Sequence, residues 1–360
     1  MKMDTALCQT YLEMPASHVE MARDARKMIE RDAVASRFLH AALRAFANCD
    51  PQVAAKTCQG AKAYAMEAAP EVAEGVVPAI FALALPDAIE RLRAAGHEED
   101  MIRDTLKDYG VWARGYEQEK GRPGFGEIGW EVRFMTGHIY KIGRLQYEFK
   151  HPYHAPYTIY RDKATDTLIP VPQAGIAIDA HGFPTKGEAA FVTICERKDG
   201  WLRFNEVDTV NARIVPQVRT LPLEQLEVVL CTGMQVLNLH IPECGPLDVA
   251  QVEASLKQAM AFFAPRGIDC EIAICESWLL DPALLTYGAG CGNICGFQNR
   301  FTKYPEYGAH SDAVRRVFGR GTDVSDVEKL AEDTRLRRGL KNYMKQNGIL
   351  RDAGGVLVIE

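Results

Sequence analysis

The chain contains no apolar run near the roughly 18 residues that a membrane-crossing helix requires, so no transmembrane span is expected. It has no surplus of basic charge either. Its 42 Lys and Arg stand against 48 Asp and Glu, a formal net charge of −6. That balance weighs against a nucleic-acid partner, although a local basic patch would escape the count. The residues Met1 to Tyr11 include Asp4 and no apolar core, so no secretory signal is expected and the protein is expected to be cytoplasmic. Paired C-x-x-C motifs are missing. The ten cysteines instead show spacings such as Cys270 to Cys275 and Cys291 to Cys295. Such spacings do not build a structural zinc site, so no metal is expected. The thiols are expected to act as small buried hydrophobes in a reducing compartment. Internal repeats and low-complexity segments are absent as well.

What is present is an ordinary globular composition, 47% hydrophobic and 25% charged, over 360 residues. That length favours two domains. The first third is helical in pattern. Ser17 with Glu20 suggests a capping box. Met21, Ala25, Met28, Ile29, Phe38, Leu39 and Leu43 then recur near helical spacing. A second helix follows Pro51 and ends near Pro70. Val76 to Leu85 is an apolar run, and Asp87 with Glu90, after Pro86, is a further cap candidate. Helical spacing continues from Glu98 to Glu119.

The dense Gly and Pro of 121–126 mark a boundary, which divides the chain into a helical part, 1–124, and a second domain, 125–360. Beyond it the period changes to two. Leu145, Tyr147 and Phe149 alternate with Arg144, Gln146 and Glu148. Lys141, Arg144 and Arg161 are expected to be solvated. Asp199-Gly200 signals a hairpin between Ala190–Cys195 and Trp201–Phe204. Leu223 to Leu230, after Pro222, is expected to be a short helix.

The most informative segment is 236–280. Val236 to Pro242 has the pattern of a strand, Gly245 lies in a short loop, Asp248 to Phe263 is helical, and Cys270 to Leu280 is a second strand. A loop and helix N-terminus at the end of a strand form a place to hold a phosphate group. Asp248 is most simply the cap of that helix, and Asp281 before Pro282 the cap of another. His240 shares a face with Asn238 and Val236, which makes it a candidate base or a hydrogen-bonded structural histidine. Glu276 falls on a face with Ile272, Ile274 and Trp278. Apolar neighbours would raise its pKa and suit it to acid–base work, while a strand-end salt bridge is the alternative. Cys244 near His240 admits a nucleophile and base pair, and His151 with His154 resembles a metal pair in a proline-rich loop.

The residues 237–242, 275–282, 293–301 and Arg316-Val317-Phe318-Gly319 together resemble a bacterial two-domain acyltransferase family, which joins a helical N-acyltransferase N-terminal domain to a GNAT-like C-terminal domain. The resemblance implies an α+β fold: helices first, then a mixed sheet with flanking helices. It also implies transfer of an acyl group from acyl-CoA or acetyl-CoA to an amine, with a small-molecule donor and acceptor as partners. His240 and Glu276 are the candidate base and acid. Tyr287 lies where such folds carry a tyrosine acid. Leu239 and Ile241 lie on the strand that splays to take the pantetheine arm. Glu243, Cys244, Gly245 and Leu247 form the pyrophosphate loop. That loop departs from the usual Arg/Gln-x-x-Gly-x-Gly/Ala pattern, having one glycine and added negative charge. Arg316 to Gly321 matches the pattern literally but falls after the second strand, where a basic surface turn is the simpler interpretation. The acidic loop also keeps open a non-catalytic binding or regulatory protein on a degenerate GNAT scaffold, because a fold does not carry its relatives' activity with it.

Overall fold

A computed structural model describes residues 3–268, 271–288, 292–307, 312–319 and 322–359. Cys270, Cys291, Arg320 and Gly321 lie outside them. The chain divides into two compact units, Met1–Ile142 and Gly143–Glu360. No helix among the described residues is long and apolar enough to cross a membrane.

The first unit is built from helices α1 (Thr5–Tyr11), α2 (Ala16–Arg31), α3 (Ala33–Ala47), α4 (Pro51–Ala68), α5 (Val76–Ala94), α6 (Glu99–Leu106), α7 (Asp108–Lys120) and α8 (Ile128–Met135), followed by β1 (Ile139–Ile142). Side-chain caps start three of them: Asp4 for α1, Asp32 for α3 and Asp50 for α4, the last with Pro51 at the first helical position. The expected capping box at Ser17 does not form. Helix α2 begins one residue earlier, and Pro15 at its start offers no side-chain oxygen. Nor does a helix begin at Asp87: α5 runs straight through Pro86. An interior proline costs about 3 kcal/mol. Every residue of α5 from Val76 to Leu85 is buried, so packing on all sides outweighs that cost. Helical structure also continues past the glycine-rich break, as α8.

The second unit contains β2 (Leu145–Pro152), β3 (Tyr157–Asp162), β4 (Leu168–Pro172), β5 (Ala177–Ile178), β6 (Phe191–Val192), β7 (Cys195–Lys198), β8 (Trp201–Asp208), β9 (Arg213–Pro222), β10 (Leu226–Leu230), β11 (Gln235–His240), α9 (Val249–Phe263), β12 (Ile272–Ser277), α10 (Ala283–Tyr287), α11 (Gly292–Gln298), β13 (Thr302–Pro305), α12 (Ala313–Phe318), α13 (Arg335–Lys345) and β14 (Ala353–Val358). The expected helix at 223–230 is a single 3-10 turn followed by β10. Leu226, Glu227, Val228 and Leu230 pair with β3, with Leu226 and Leu230 buried, and that sheet partner is one that residue spacing alone did not reveal. The Asp199-Gly200 hairpin forms, with φ of +50° and +82°, but its first strand is β7 (Cys195–Lys198) rather than Ala190–Cys195. Both values are those of a type I′ turn.

Within this unit the main sheet runs β2-β11-β12-β14-β13. Only β11 and β12 are parallel; the other neighbours are antiparallel. Helix α9 packs on the face that carries Leu145 and Tyr147, where the Tyr147 and Ser255 hydroxyls lie 2.7 Å apart. The other face is apolar along Val236, Ile274 and Val356, where it meets Tyr153, Tyr157 and Tyr304 in one core cluster. The fold is therefore α+β, with a helical unit followed by a mixed sheet flanked by helices.

Candidate active site

The register of the main sheet defines one polar row. Gln146 on β2 stands opposite His240 on β11. Glu276 on β12 stands opposite Gly354 on β14, which stands opposite Tyr304 on β13. The parallel ladder pairs Leu237 with Ala273 and Asn238 with Ile274. Continued by two residues, that register sets His240 level with Glu276 on the same face. Yet the ladder stops at Asn238 and Ile274 while both strands go on. The two parallel strands thus part over their last residues, beyond Asn238 and Ile274.

Strand β2 supplies a residue that alternation alone did not single out. Its pairing with β11 slips between Val236 and Asn238, where Phe149 and Lys150 together face Leu237. Lys150 takes φ +55°. This bulge adds one residue and reverses the parity of the rest of the strand. His151, three residues after Glu148, consequently lands on the same face as Glu148. The Glu148 carboxylate lies 3.1 Å from His240 Nε2 and 3.2 Å from His151 Nδ1. An ionised carboxylate only accepts hydrogen bonds, so it orients both imidazoles by receiving their N–H groups. Asn238, opposite Glu148, is buried with its Oδ1 unbonded.

The loop after β11 is organised by Arg144, which the sequence pattern placed in solvent. It is 7% exposed. Its guanidinium donates to the carbonyl oxygens of Pro242 (3.1 Å), Gly245 (2.8 Å) and Pro246 (2.9 Å), and to Cys244 Sγ (3.3 Å). The planar fork of donors makes this possible. Residue alternation marks a side chain's face but not a loop that folds back over it, and the folded-back loop is why Arg144 is buried. Three carbonyls are turned inward onto a cation, which offsets the charge of Glu243 and Asp248. Glu243, Cys244 and Gly245 are exposed, Leu247 is buried, and Gly245 takes φ +82°. Asp248 caps α9 by accepting from the Gln251 amide at 3.1 Å. The loop therefore delivers directly into the positive end of a 15-residue helix.

The sequence matches the GNAT-like C-terminal domain family over residues 139–357 and the N-acyltransferase N-terminal domain family over residues 3–137. The chain belongs to this two-domain acyltransferase family. No curated protein matches it. Three solved acyltransferase structures share its fold. One, a mutant bound to octanoyl-CoA, is 17% identical with a TM-score of 0.62, over 99% of this chain and 87% of that one. Another, bound to decanoyl-CoA and teicoplanin, is 18% identical with a TM-score of 0.61, over 99% and 87%. A third, bound to decanoyl-CoA, is 19% identical with a TM-score of 0.60, over 97% and 85%.

In this acyltransferase the remaining candidates are dispersed. Tyr287 ends α10, its ring tilted against Tyr343 of α13 at 5.0 Å between centroids. Its hydroxyl is buried without a partner, and burial pushes its pKa far up. It stays protonated, and its hydroxyl can donate or accept a hydrogen bond. Glu276 is exposed rather than enclosed by apolar neighbours, because Gly354 beside it has no side chain. Ile241 is half-buried just past the end of β11. Cys244 is exposed and bonded to Arg144 rather than to His240. Arg161, far from solitary, pairs with Glu271 and Asp166. Asp281 accepts from the amides of Ala283 and Arg351, and burial lifts its carboxyl to about 6.

Proposed function

We propose that the chain transfers an acyl group from an acyl-CoA or acetyl-CoA thioester to an amine. The observation that carries this reading is the parting of β11 and β12 above a loop clamped by Arg144 onto the N-terminus of α9. In this reading the backbone of Leu239 and Ile241 offers the edge along which an amide-bearing pantetheine arm lies. Glu243, Cys244, Gly245 and Leu247 bring their backbone to the pyrophosphate, beside the N–H groups that open α9. The inward carbonyls, held by Arg144, are kept away from phosphate oxygens, which fits an anion at this position. Arg144 also answers the acidic loop that favoured a degenerate scaffold.

The chemistry asks little more. His240, oriented by Glu148, takes a proton from the amine. The amine nitrogen bonds to the thioester carbonyl carbon, the carbon–sulfur bond breaks, and the leaving thiolate takes a proton from an acid. Tyr287 is the candidate for that acid. Glu276, level with His240, faces the acceptor. All of these residues lie in the C-terminal part, 125–360, and the helical part, 1–124, is accessory in this reading. The relative that binds teicoplanin together with decanoyl-CoA supports a glycopeptide-like amine as one acceptor to try. The test is release of free thiol from octanoyl-CoA in the presence of a panel of primary amines that includes teicoplanin. Amine-dependent release, abolished in His240→Ala, is expected. Release that is absent with every amine, or untouched by that substitution, contradicts the reading.

A further inference from the structure

The far end of the polar row holds an unusual group. Tyr153 and Tyr304 are fully buried, and their hydroxyls have no hydrogen-bond partner beyond each other. Glu306, just past β13, turns its Oε1 inward without a partner. Gly354 makes room for this arrangement. A Cβ there would lie 2.1 Å from Tyr304 Cε2, 2.5 Å from its Cζ and 2.7 Å from Glu306 Oε1. The Tyr304 ring thus lies over Gly354 and points from β13 toward β12, where Glu276 stands in the same row and opens to solvent. Both hydroxyls feel the charges of Glu276 and Glu306. Two carboxyls and two phenols that have only each other converge on one place at the sheet's edge. Buried polar groups are normally satisfied, so the inward Glu306 oxygen and the spare capacity of the two phenols together call for a partner.

We infer that the ends of β12 and β13 seat the acceptor's nitrogen in its protonated, ammonium form, with Glu276 and Glu306 as its charge partners and the hydroxyls of Tyr153 and Tyr304 behind them. An ammonium carries three N–H donors and no acceptor, and the carboxylate and phenol oxygens here can all accept from it. Aromatic rings beside it add cation–π attraction. Burial, with the like charges of Glu276 and Asp352, lifts the Glu306 carboxyl to about 8. An arriving cation reverses that push, so ammonium binding near pH 7 releases a proton from Glu306. His240, in the same row, then removes the proton that must leave the ammonium before its nitrogen can attack. This inference rests on the reading of the chain as an amine acylase only for the identity of the cation.

Calorimetric titration of the full chain with n-butylamine hydrochloride at pH 7, in phosphate and in HEPES, tests it. Saturable binding is expected, with heats that differ between buffers by the release of up to one proton, while n-butanol gives no binding. Glu306→Gln, which mimics the protonated carboxyl, should bind at least tenfold more weakly and release no proton. Glu276→Gln, on an exposed side chain, should weaken binding similarly, and Tyr304→Phe should weaken it without unfolding the core. Absence of butylammonium binding, or unchanged affinity and proton release in Glu306→Gln, overturns the inference. A thermal shift with octanoyl-CoA on the same sample separates the two claims. A shift without amine binding removes only the ammonium seat, and amine binding without a shift removes only the thioester donor.

Discussion

At the scale of single residues, the decisive group is Arg144. One guanidinium satisfies three loop carbonyls and a thiol. Removing it strands those acceptors, and each unsatisfied buried group costs about 1–3 kcal/mol. Arg144→Ala is therefore expected to lower the melting temperature by several degrees and to weaken CoA binding more than any exposed loop substitution. Arg144→Lys should not rescue it, because one ammonium cannot reproduce the fork. Melting curves and CoA titrations of both variants check this. For catalysis, His240→Ala should cut kcat by roughly 10²–10⁴, the usual range for a general base, with CoA affinity retained. Glu148→Gln should produce a smaller loss, because the amide still accepts one hydrogen bond from the imidazole but no longer favours its charged form. Steady-state rates against octanoyl-CoA decide both. The faces on which His240 and Glu276 lie were legible from parity along two strands. Glu148 and His151 were not, because the bulge at Lys150 shifts parity in a way that only the pairing reveals.

At the scale of elements, the working end of the sheet depends on close approaches that only glycine permits. A Cβ on Gly339 of α13 would fall 1.7 Å from the Tyr287 carbonyl oxygen of α10. Gly339→Ala should push these helices apart and destabilise the fold by about 1–3 kcal/mol, the range for overpacking, which denaturant unfolding measures. If Tyr287 is the acid, the same variant should lose activity beyond what its stability explains. The β11–α9–β12 unit was legible because each part carries its own local signal: a polar–apolar strand, Asp248 as a cap and a periodic helix. Strand β10, where a helix over Leu223–Leu230 was expected, and the passage of α5 through Pro86 were illegible for the opposite reason. Both are fixed by partners distant in sequence, the β3 edge in one case and the buried surroundings of an all-apolar helix in the other.

At the scale of the whole molecule, stability should respond to pH from both sides, each unit contributing one arm. His18 in the first unit is pushed down to about 4 by burial, beside its 2.8 Å contact with the Tyr109 hydroxyl. A depressed pKa gives stability that is present above the unfolded value near 6.5 and is lost as pH falls toward 4. Glu306 in the second unit is raised to about 8. The native state then holds a proton that the unfolded chain gives up near 4.5, so its contribution is full below 4.5 and is lost as pH rises through 8. Asp281, raised to about 6, acts in the same direction at lower pH. Between about 4.5 and 6.5 the His18 and Glu306 contributions oppose each other, so the net expectation is a loss of stability as pH rises from about 6.5 to 8. Glu306→Gln should remove that loss in melting temperatures recorded from pH 4 to 9.

The central claim is that the parted strands and the Arg144-held loop bind a coenzyme A thioester. A thermal-shift titration with CoA, acetyl-CoA and octanoyl-CoA tests it most directly, because a ligand that binds only the native state raises the melting temperature by mass action. A saturable rise, lost when Gly245 is replaced by tryptophan, is the predicted result. No shift with any of the three at millimolar concentration would contradict the account.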